Sequence, residues 1–309
     1  MARMLRLQYP GAIYHVLNRG DRGEPIFRAD QDRMLFLETL GQACQKTGWQ
    51  VHALCLMSNH FHLVVETPNA NLVPGMKWFL GTYTSRFNRR HKLFGHLFSG
   101  RYKALIVDET GNGYLKTVCD YVHLNPVRAN LLSADQKLSR YRWSTYPAYL
   151  VSKRKRPKWL RVDRLLGEHG LPCDTKAARR EFALRMEMRR ATDSDADWKP
   201  VRRGWYLGSK QFRKELLRQM RRSRGSDHAG LEQRESEEAW AEELVSQELK
   251  RRGWDSGELA RRRKGDPEKV KIARRLREET TMTLNWIANR LNMGAVGSLA
   301  NLLRNAKPK

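Results

Sequence analysis

Cysteine is scarce in this chain and never clustered: Cys44, Cys55, Cys119 and Cys173 stand far apart, with no CxxC pair. That spacing offers neither a disulfide framework nor a structural zinc site, and it suits a reducing compartment. No run approaches the roughly 18–20 apolar residues of a membrane helix. The opening MARMLRLQYPG lacks the apolar core of a secretion signal, so the expected location is the cytoplasm. HExxH is also missing, which leaves a zinc hydrolase without support. Acid is short as well: 33 Asp and Glu face 59 Lys and Arg, a net charge of +26.

What is present is a basic chain of 309 residues, 40% hydrophobic. The length suits roughly two domains of about 150 residues, and the apolar share excludes a fully disordered chain. Residues 1–150 hold 19 basic and 10 acidic side chains, and residues 151–309 hold 40 and 23. Such a surplus attracts a polyanion, because Lys and Arg release condensed counterions when they neutralise phosphates. Charge alone leaves DNA, RNA and an anionic membrane surface open. Nine Trp and ten Tyr suit base stacking, although most are expected in the core or at its rim.

Apolar spacing predicts an alternation of strands and helices over residues 12–150. Strands are expected at 12–19, 51–57, 60–66 and 104–109. Helices are expected at 30–47, 72–91 and 114–124, the last ended by Asn125-Pro126. The order β-α-β-β-α-β-α gives an α+β fold, an antiparallel sheet with helices packed on one face. The run VSKRKRPK at 151–158 carries five basic residues and a proline, and the domain boundary is expected there. Charge-rich, exposed helices are expected at 181–190, 210–224 and 235–252, with a flexible link at 224–233. In the last forty residues, Val270, Ala273 and Leu276 form one stripe, and Leu284, Ile287, Ala288 and Leu291 a second. Gly294 then breaks the chain before a short helix with Leu299, Leu302 and Leu303. A helix-turn-helix-like unit at 266–309 follows, with a plain helical hairpin as the alternative.

Two segments carry chemistry. In the strand 60–66, His60, His62, Val64 and Glu66 share one face, while Phe61, Leu63 and Val65 share the other. The two imidazoles can hold one cation if a third ligand arrives. On the helix ending at Asn125, Tyr121 and Asn125 are i and i+4 neighbours. A phenol can act as a nucleophile, and an amide oxygen can bind a hard divalent ion. Tyr114, two turns earlier on roughly the same face, competes with Tyr121. Imidazole and amide ligands with waters suit Mg²⁺ or Mn²⁺, and ligand type leaves Zn²⁺ open. Arg86, Arg89, Arg90, Arg101 and Lys103 are candidate phosphate contacts, as are Asn301 and Arg304 on the last helix.

His60-Phe61-His62, followed by Tyr121-Val-His-Leu-Asn125-Pro-Val-Arg-Ala, resembles the HUH single-tyrosine transposases, and within them the REP-associated tyrosine transposases. Tyr14-His15-Val16 and Asn18-Arg19-Gly20 are similar too, and the resemblance covers about residues 8–150. It implies a ferredoxin-like fold that cleaves and rejoins single-stranded DNA through a 5′-phosphotyrosine. It also implies a metal-binding pair at His60 and His62 and a nucleophile at Tyr121. Asn125 stands where related insertion-sequence enzymes place a glutamine. Imperfect palindromes that fold into hairpin DNA are the implied substrate, and a monomer or homodimer associated with the nucleoid is the implied state. Residues 1–150 would then be the catalytic domain, 151–265 a basic helical linker region, and 266–309 a DNA-binding unit that the family's small members lack. Two other classes stay open: a non-catalytic, sequence-specific DNA-binding regulator, and an RNA-binding protein or metal-dependent RNase.

Overall fold

Residues 12–19 and 60–67 alternate apolar side chains on both parities, which suits strands covered on both faces. The computed structural model describes residues 7–223, 231–255 and 257–305. Its chain divides into two units, one holding residues 1–44 and 48–222, the other 45–47 and 223–309. The boundary therefore does not fall in the basic run at 151–158, whose residues belong to the first unit. Buried Arg156 explains this, because it donates to the carbonyls of Ala148 and Val151 and pairs with Asp174 at 2.6 Å.

The first unit opens with β1 (Ala12–Arg19), α1 (Asp30–Thr47), β2 (Gln50–Leu56), β3 (His60–Thr67), α2 (Leu72–His91) and β4 (Lys103–Val107). Asp32 starts α1 by accepting from the N–H groups of Arg28 and Ala29, each at 2.9 Å. Gly48, at φ 73°, ends it by returning its N–H to Cys44. α2 buries Leu72, Met76, Phe79, Tyr83 and Phe87, a stripe at helical spacing. The helices α3 (Tyr114–His123), α4 (Asn125–Arg128), α5 (Tyr146–Tyr149), α6 (Asp163–Glu168), α7 (Lys176–Ala191) and α8 (Lys199–Arg203) follow. β5 (Tyr206–Leu207) and α9 (Lys210–Ser223) complete the described part.

The sheet order is β2-β3-β1-β4-β5. The first four strands pair antiparallel in the order of a βαββαβ ferredoxin-like sheet. A fifth strand, not expected from the sequence, joins them: β5 runs parallel to β4 through Ile106–Tyr206 and Val107–Leu207. Two residues are too few to leave a period in the sequence. A correction concerns the faces, because helices cover both. Phe61, Leu63, Val65, Tyr14 and Val16 pack with Phe36 of α1 and Phe79 of α2. Ile13, Val64, Ala53 and Val107 pack with Leu115, Val118 and Val122 of α3. Each fully buried Phe or Leu contributes about 1.5–3 kcal/mol, so neither face can be left to water.

The second unit comprises α10 (Leu231–Arg252), α11 (Glu258–Arg261), α12 (Pro267–Glu279), α13 (Leu284–Arg290) and α14 (Val296–Asn305). Of the expected link at 224–233, residues 224–230 lie outside the described residues and 231–233 open α10. Asp266 caps α12 by accepting from the N–H groups of Glu268 and Lys269, and Thr283 caps α13. The stripes read from the sequence meet here: Val270, Ala273, Leu276, Ile287, Ala288, Leu291 and Leu299 share one core with Leu244 and Val245 of α10. The turn from α13 to α14 needs two left-handed residues, Asn292 (φ 51°) and Gly294 (φ 80°).

Candidate functional site

The histidine pair arrives on β3, between β2 and β1 in the sheet. Alternation sends His60 and His62 to the same face as Val64, the face that α3 covers. Their ring centroids are 5.1 Å apart. His62 is 5% exposed. α3 lays Tyr121 onto this face, with its ring 5.6 Å from that of His62, and Tyr121 is itself 7% exposed. The apolar stripe of Leu115, Val118 and Val122 holds the helix there, and Tyr121 flanks that stripe. Tyr114, the first residue of α3, is half-buried, and among the described residues no ring contact joins it to either histidine.

A third imidazole, not singled out as a site residue from the sequence, completes the cluster. His15 on β1 stands opposite Val64, diagonal to His62. Its Nε2 lies 3.0 Å from Nδ1 of His62, and its ring 5.7 Å from that of Tyr121. Burial pushes the His15 imidazole down to about 4. Burial also lowers His60, and it holds His62 well below its ordinary value, aided by His15, His60 and Arg128. All three rings are therefore neutral near pH 7.

Two more residues meet the phenol. The Arg128 guanidinium lies 4.1 Å from the Tyr121 ring centroid and donates to the Tyr121 carbonyl. The ring of Trp198 lies 5.7 Å away. Arg128 ends the short helix α4, which has Pro126 in its first turn, so the NPVR run itself aims it back. Trp198 gives no local signal, because its contact joins residues 77 positions apart.

Asn125 is buried, and its Nδ2 donates to the Tyr121 carbonyl at 3.1 Å, which leaves Oδ1 for the ligand role expected of it. Glu66, the fourth residue of the face, is spent elsewhere. It pairs with His52 at 2.9 Å, Arg164 at 3.0 Å and Arg161 at 3.2 Å.

The expected phosphate contacts divide by position. Arg86 donates to Thr39 and Gln42 of α1 at 2.8 and 2.9 Å, and Arg90 pairs with Asp32 at 3.1 Å. With Arg89, which is exposed, they sit on α2, across the sheet from Tyr121. Lys103 is exposed on β4 and occupies one cross-strand row with Leu17 and His62. Arg19, exposed on β1 and not singled out in the sequence, stands opposite His60. Arg101 is exposed just before β4. Asn301 and Arg304 are exposed on α14 of the second unit, bonded to each other at 2.8 Å.

The donor set fits a divalent ion in part. Nδ1 of His60 pairs with Asn59 Oδ1 at 2.7 Å, which makes that nitrogen the donor and leaves the lone pair on Nε2. Nδ1 of His62 is bonded to Nε2 of His15, and the tautomer in which His62 donates that bond keeps a lone pair on its Nε2 in the same way. Outer-shell bonds of this kind orient metal-ligating histidines. Among the described residues, no group of three or more His, Cys, Asp or Glu suited to a metal occurs. The imidazoles of His60 and His62, 5.1 Å apart, are the donors that the strand brings together.

A ferredoxin-like sheet with a buried tyrosine set against strand-borne histidines defines the class of domain. Residues 8–125 match the family model described as "Transposase IS200 like". That segment carries the first four strands of the sheet, both histidines and Tyr121. Among solved structures, one titled "Structure of the REP associates tyrosine transposase bound to a REP hairpin" is similar at 13% identity and a TM-score of 0.40. The match covers 48% of this chain and 84% of that one. No curated protein matches the chain.

Proposed function

We propose that the chain is a transposase and nickase for single-stranded DNA, cleaving and rejoining at hairpin-forming repeats through a 5′-phosphotyrosine on Tyr121. The observation that carries this reading is the Tyr121 ring 5.6 Å from His62, in a segment that matches the IS200-like transposase model. The Tyr121 Oη would attack the scissile phosphorus. The new P–Oη bond forms as the P–O3′ bond breaks, the phenol proton passes to solvent, and a free 3′-hydroxyl leaves. Attack of a 3′-hydroxyl on the phosphotyrosine reverses the step and joins strands without a nucleotide cofactor.

The chain's own groups each have a task in this scheme. His15 fixes the ring plane of His62. Arg128, stacked on the phenol, places fixed positive charge beside the nucleophile. Lys103 and Arg19, on the same face, line the approach of the strand's phosphates, with Arg101 beside them. A divalent ion, Mg²⁺ or Mn²⁺, held by His60, His62 and Asn125 would supply charge stabilisation to the scissile phosphate. In the second unit, Asn301 and Arg304 on α14 are assigned to hairpin or duplex contacts, the role of a helix-turn-helix. We place the protein at the nucleoid, as monomer or homodimer.

The test is a hairpin oligonucleotide with a single-stranded flank, incubated with Mn²⁺ and resolved under denaturing conditions. A denaturant-stable adduct on Tyr121, lost in Tyr121→Phe while DNA binding persists, is expected. An adduct that persists in Tyr121→Phe moves the nucleophile to Tyr114. One observation favours the second reading, a non-catalytic sequence-specific DNA-binding regulator: Tyr121 is only 7% exposed. That reading predicts a DNA shift and no adduct. An RNase predicts cleavage of RNA and no covalent link.

A further inference from the structure

The neighbours of the Tyr121 ring form two sets. One is His15 and His62 on the sheet, both edge-on to the phenol. The other is a stack: Arg128 lies over the Tyr121 ring at 4.1 Å and over the Trp198 ring at 5.1 Å, and Arg189 lies over the Trp198 ring at 4.7 Å. Trp198 is fully buried, and its Nε1 donates to Asp193. Arg189 of α7 pairs with Asp197 at 3.0 Å, which ties that helix to the turn bearing the indole. Trp198, Asp193, Asp197 and Arg189 all lie beyond residue 125, where the transposase segment ends.

A phenol that must meet a phosphorus in line has two side-chain torsions to hold. An error of about 1 Å at a reacting atom costs on the order of 100-fold in rate. The guanidinium is a planar group that stacks on aromatic faces on both sides. Here one face meets the nucleophile's ring and the guanidinium also bonds to that residue's carbonyl, so Arg128 grips both ends of Tyr121. The indole faces the same guanidinium. Removing it frees Arg128 to leave the phenol.

We infer that Trp198 is a positioning residue for Tyr121, acting through Arg128, so that the chain beyond the transposase segment completes the reacting site rather than only carrying it to DNA. This rests on the phosphotyrosine reading above.

Two variants of similar volume separate stacking from packing. Trp198→Phe keeps an aromatic face for Arg128, and Trp198→Leu fills the core without one. Each is measured in the full chain for melting temperature, for the Kd of the hairpin oligonucleotide, and for the single-turnover rate of adduct formation at saturating DNA. The expected result is a rate about 100-fold down in Trp198→Leu, with Kd and melting close to those of Trp198→Phe, which keeps most of the wild-type rate. Equal rates in the two variants overturn the inference, as does a Leu variant whose loss tracks melting or Kd. If the wild-type chain binds the hairpin and forms no adduct, the phosphotyrosine reading itself fails and the inference with it.

Discussion

Nε2 of His15 on β1 and Nδ1 of His62 on β3 stand 3.0 Å apart in a buried pair, joining two central strands of the sheet. The bond occupies Nδ1 of His62 and fixes the plane of its ring. Removing that partner leaves His62 free to turn while its neighbours stay in place. His15→Leu is expected to weaken Mn²⁺ binding by the protein alone about 10–100-fold, the usual cost of losing an outer-shell partner. Calorimetric titration with Mn²⁺ measures it. Equal affinity in the two proteins removes His62 from the ligand set or His15 from its support.

Glu66 makes the stability of the first unit depend on acid. Burial opposes its ionisation, but the hydrogen bond and charge of His52, with Arg164 and Arg161, outweigh that and hold the carboxyl down at about 2. A carboxylate with a folded value below its unfolded value, about 4.3, adds stability that is complete above that value. The contribution is lost as pH falls from about 4.5 towards 2. Glu66→Gln is expected to lower stability at pH 7 by about 1–3 kcal/mol and to flatten the acid limb in that window. Denaturant melts at pH 7, 4 and 3 check both; a limb as steep as in wild type assigns the acid sensitivity to other carboxyls.

In the second unit, buried Lys269 holds three chain ends together. Its Nζ donates to the carbonyls of Leu259 at 2.9 Å and Asn292 at 2.8 Å, with Arg262 at 3.5 Å, closing the ends of α11 and α13. Burial lowers its pKa, so the ammonium is retained only because those carbonyls replace water. Lys269→Met keeps the stem and strands the acceptors, at an expected cost of about 2 kcal/mol. Faster amide exchange across residues 267–303, with no change in the sheet, is the expected signature. Unchanged protection there shows that Met pays no such penalty and that the carbonyls find other donors.

Much of this was legible in the sequence because periodicity is local. The bounds of β1, α1 and α2 follow from the spacing of residues such as Leu72, Phe79 and Tyr83 and from Gly48, and the face shared by His60 and His62 follows from strand alternation alone. What joins distant segments was not legible. Nothing near Trp198 signals a stack on Arg128, and nothing in Tyr206–Leu207 signals a fifth strand. The expectation of helices on one face failed because Ala53, Val64 and Ile13 were not recognised as a second apolar surface awaiting α3. His15 was within the run that resembles the family, but its role depends on β1 lying beside β3, which is a matter of topology.

The same topology sorts the basic residues by position. Arg86 and Lys103 look alike in sequence, each a cation beside an apolar element. Arg86 lies on α2 with both terminal nitrogens bonded to α1, across the sheet from Tyr121. Lys103 shares a cross-strand row with His62 and is exposed. Lys103→Gln is therefore expected to weaken binding of a single-stranded oligonucleotide and to reduce the slope of log K against log salt by about 0.7, the value of one lost phosphate contact on a single strand. Arg86→Gln is expected to leave that slope unchanged and to lower the melting temperature instead, since Thr39 and Gln42 lose their donor. Fluorescence anisotropy at several salt concentrations, paired with thermal melts, reads both. The reverse pattern, a slope change in Arg86→Gln and none in Lys103→Gln, places the strand on the α2 face and separates it from Tyr121.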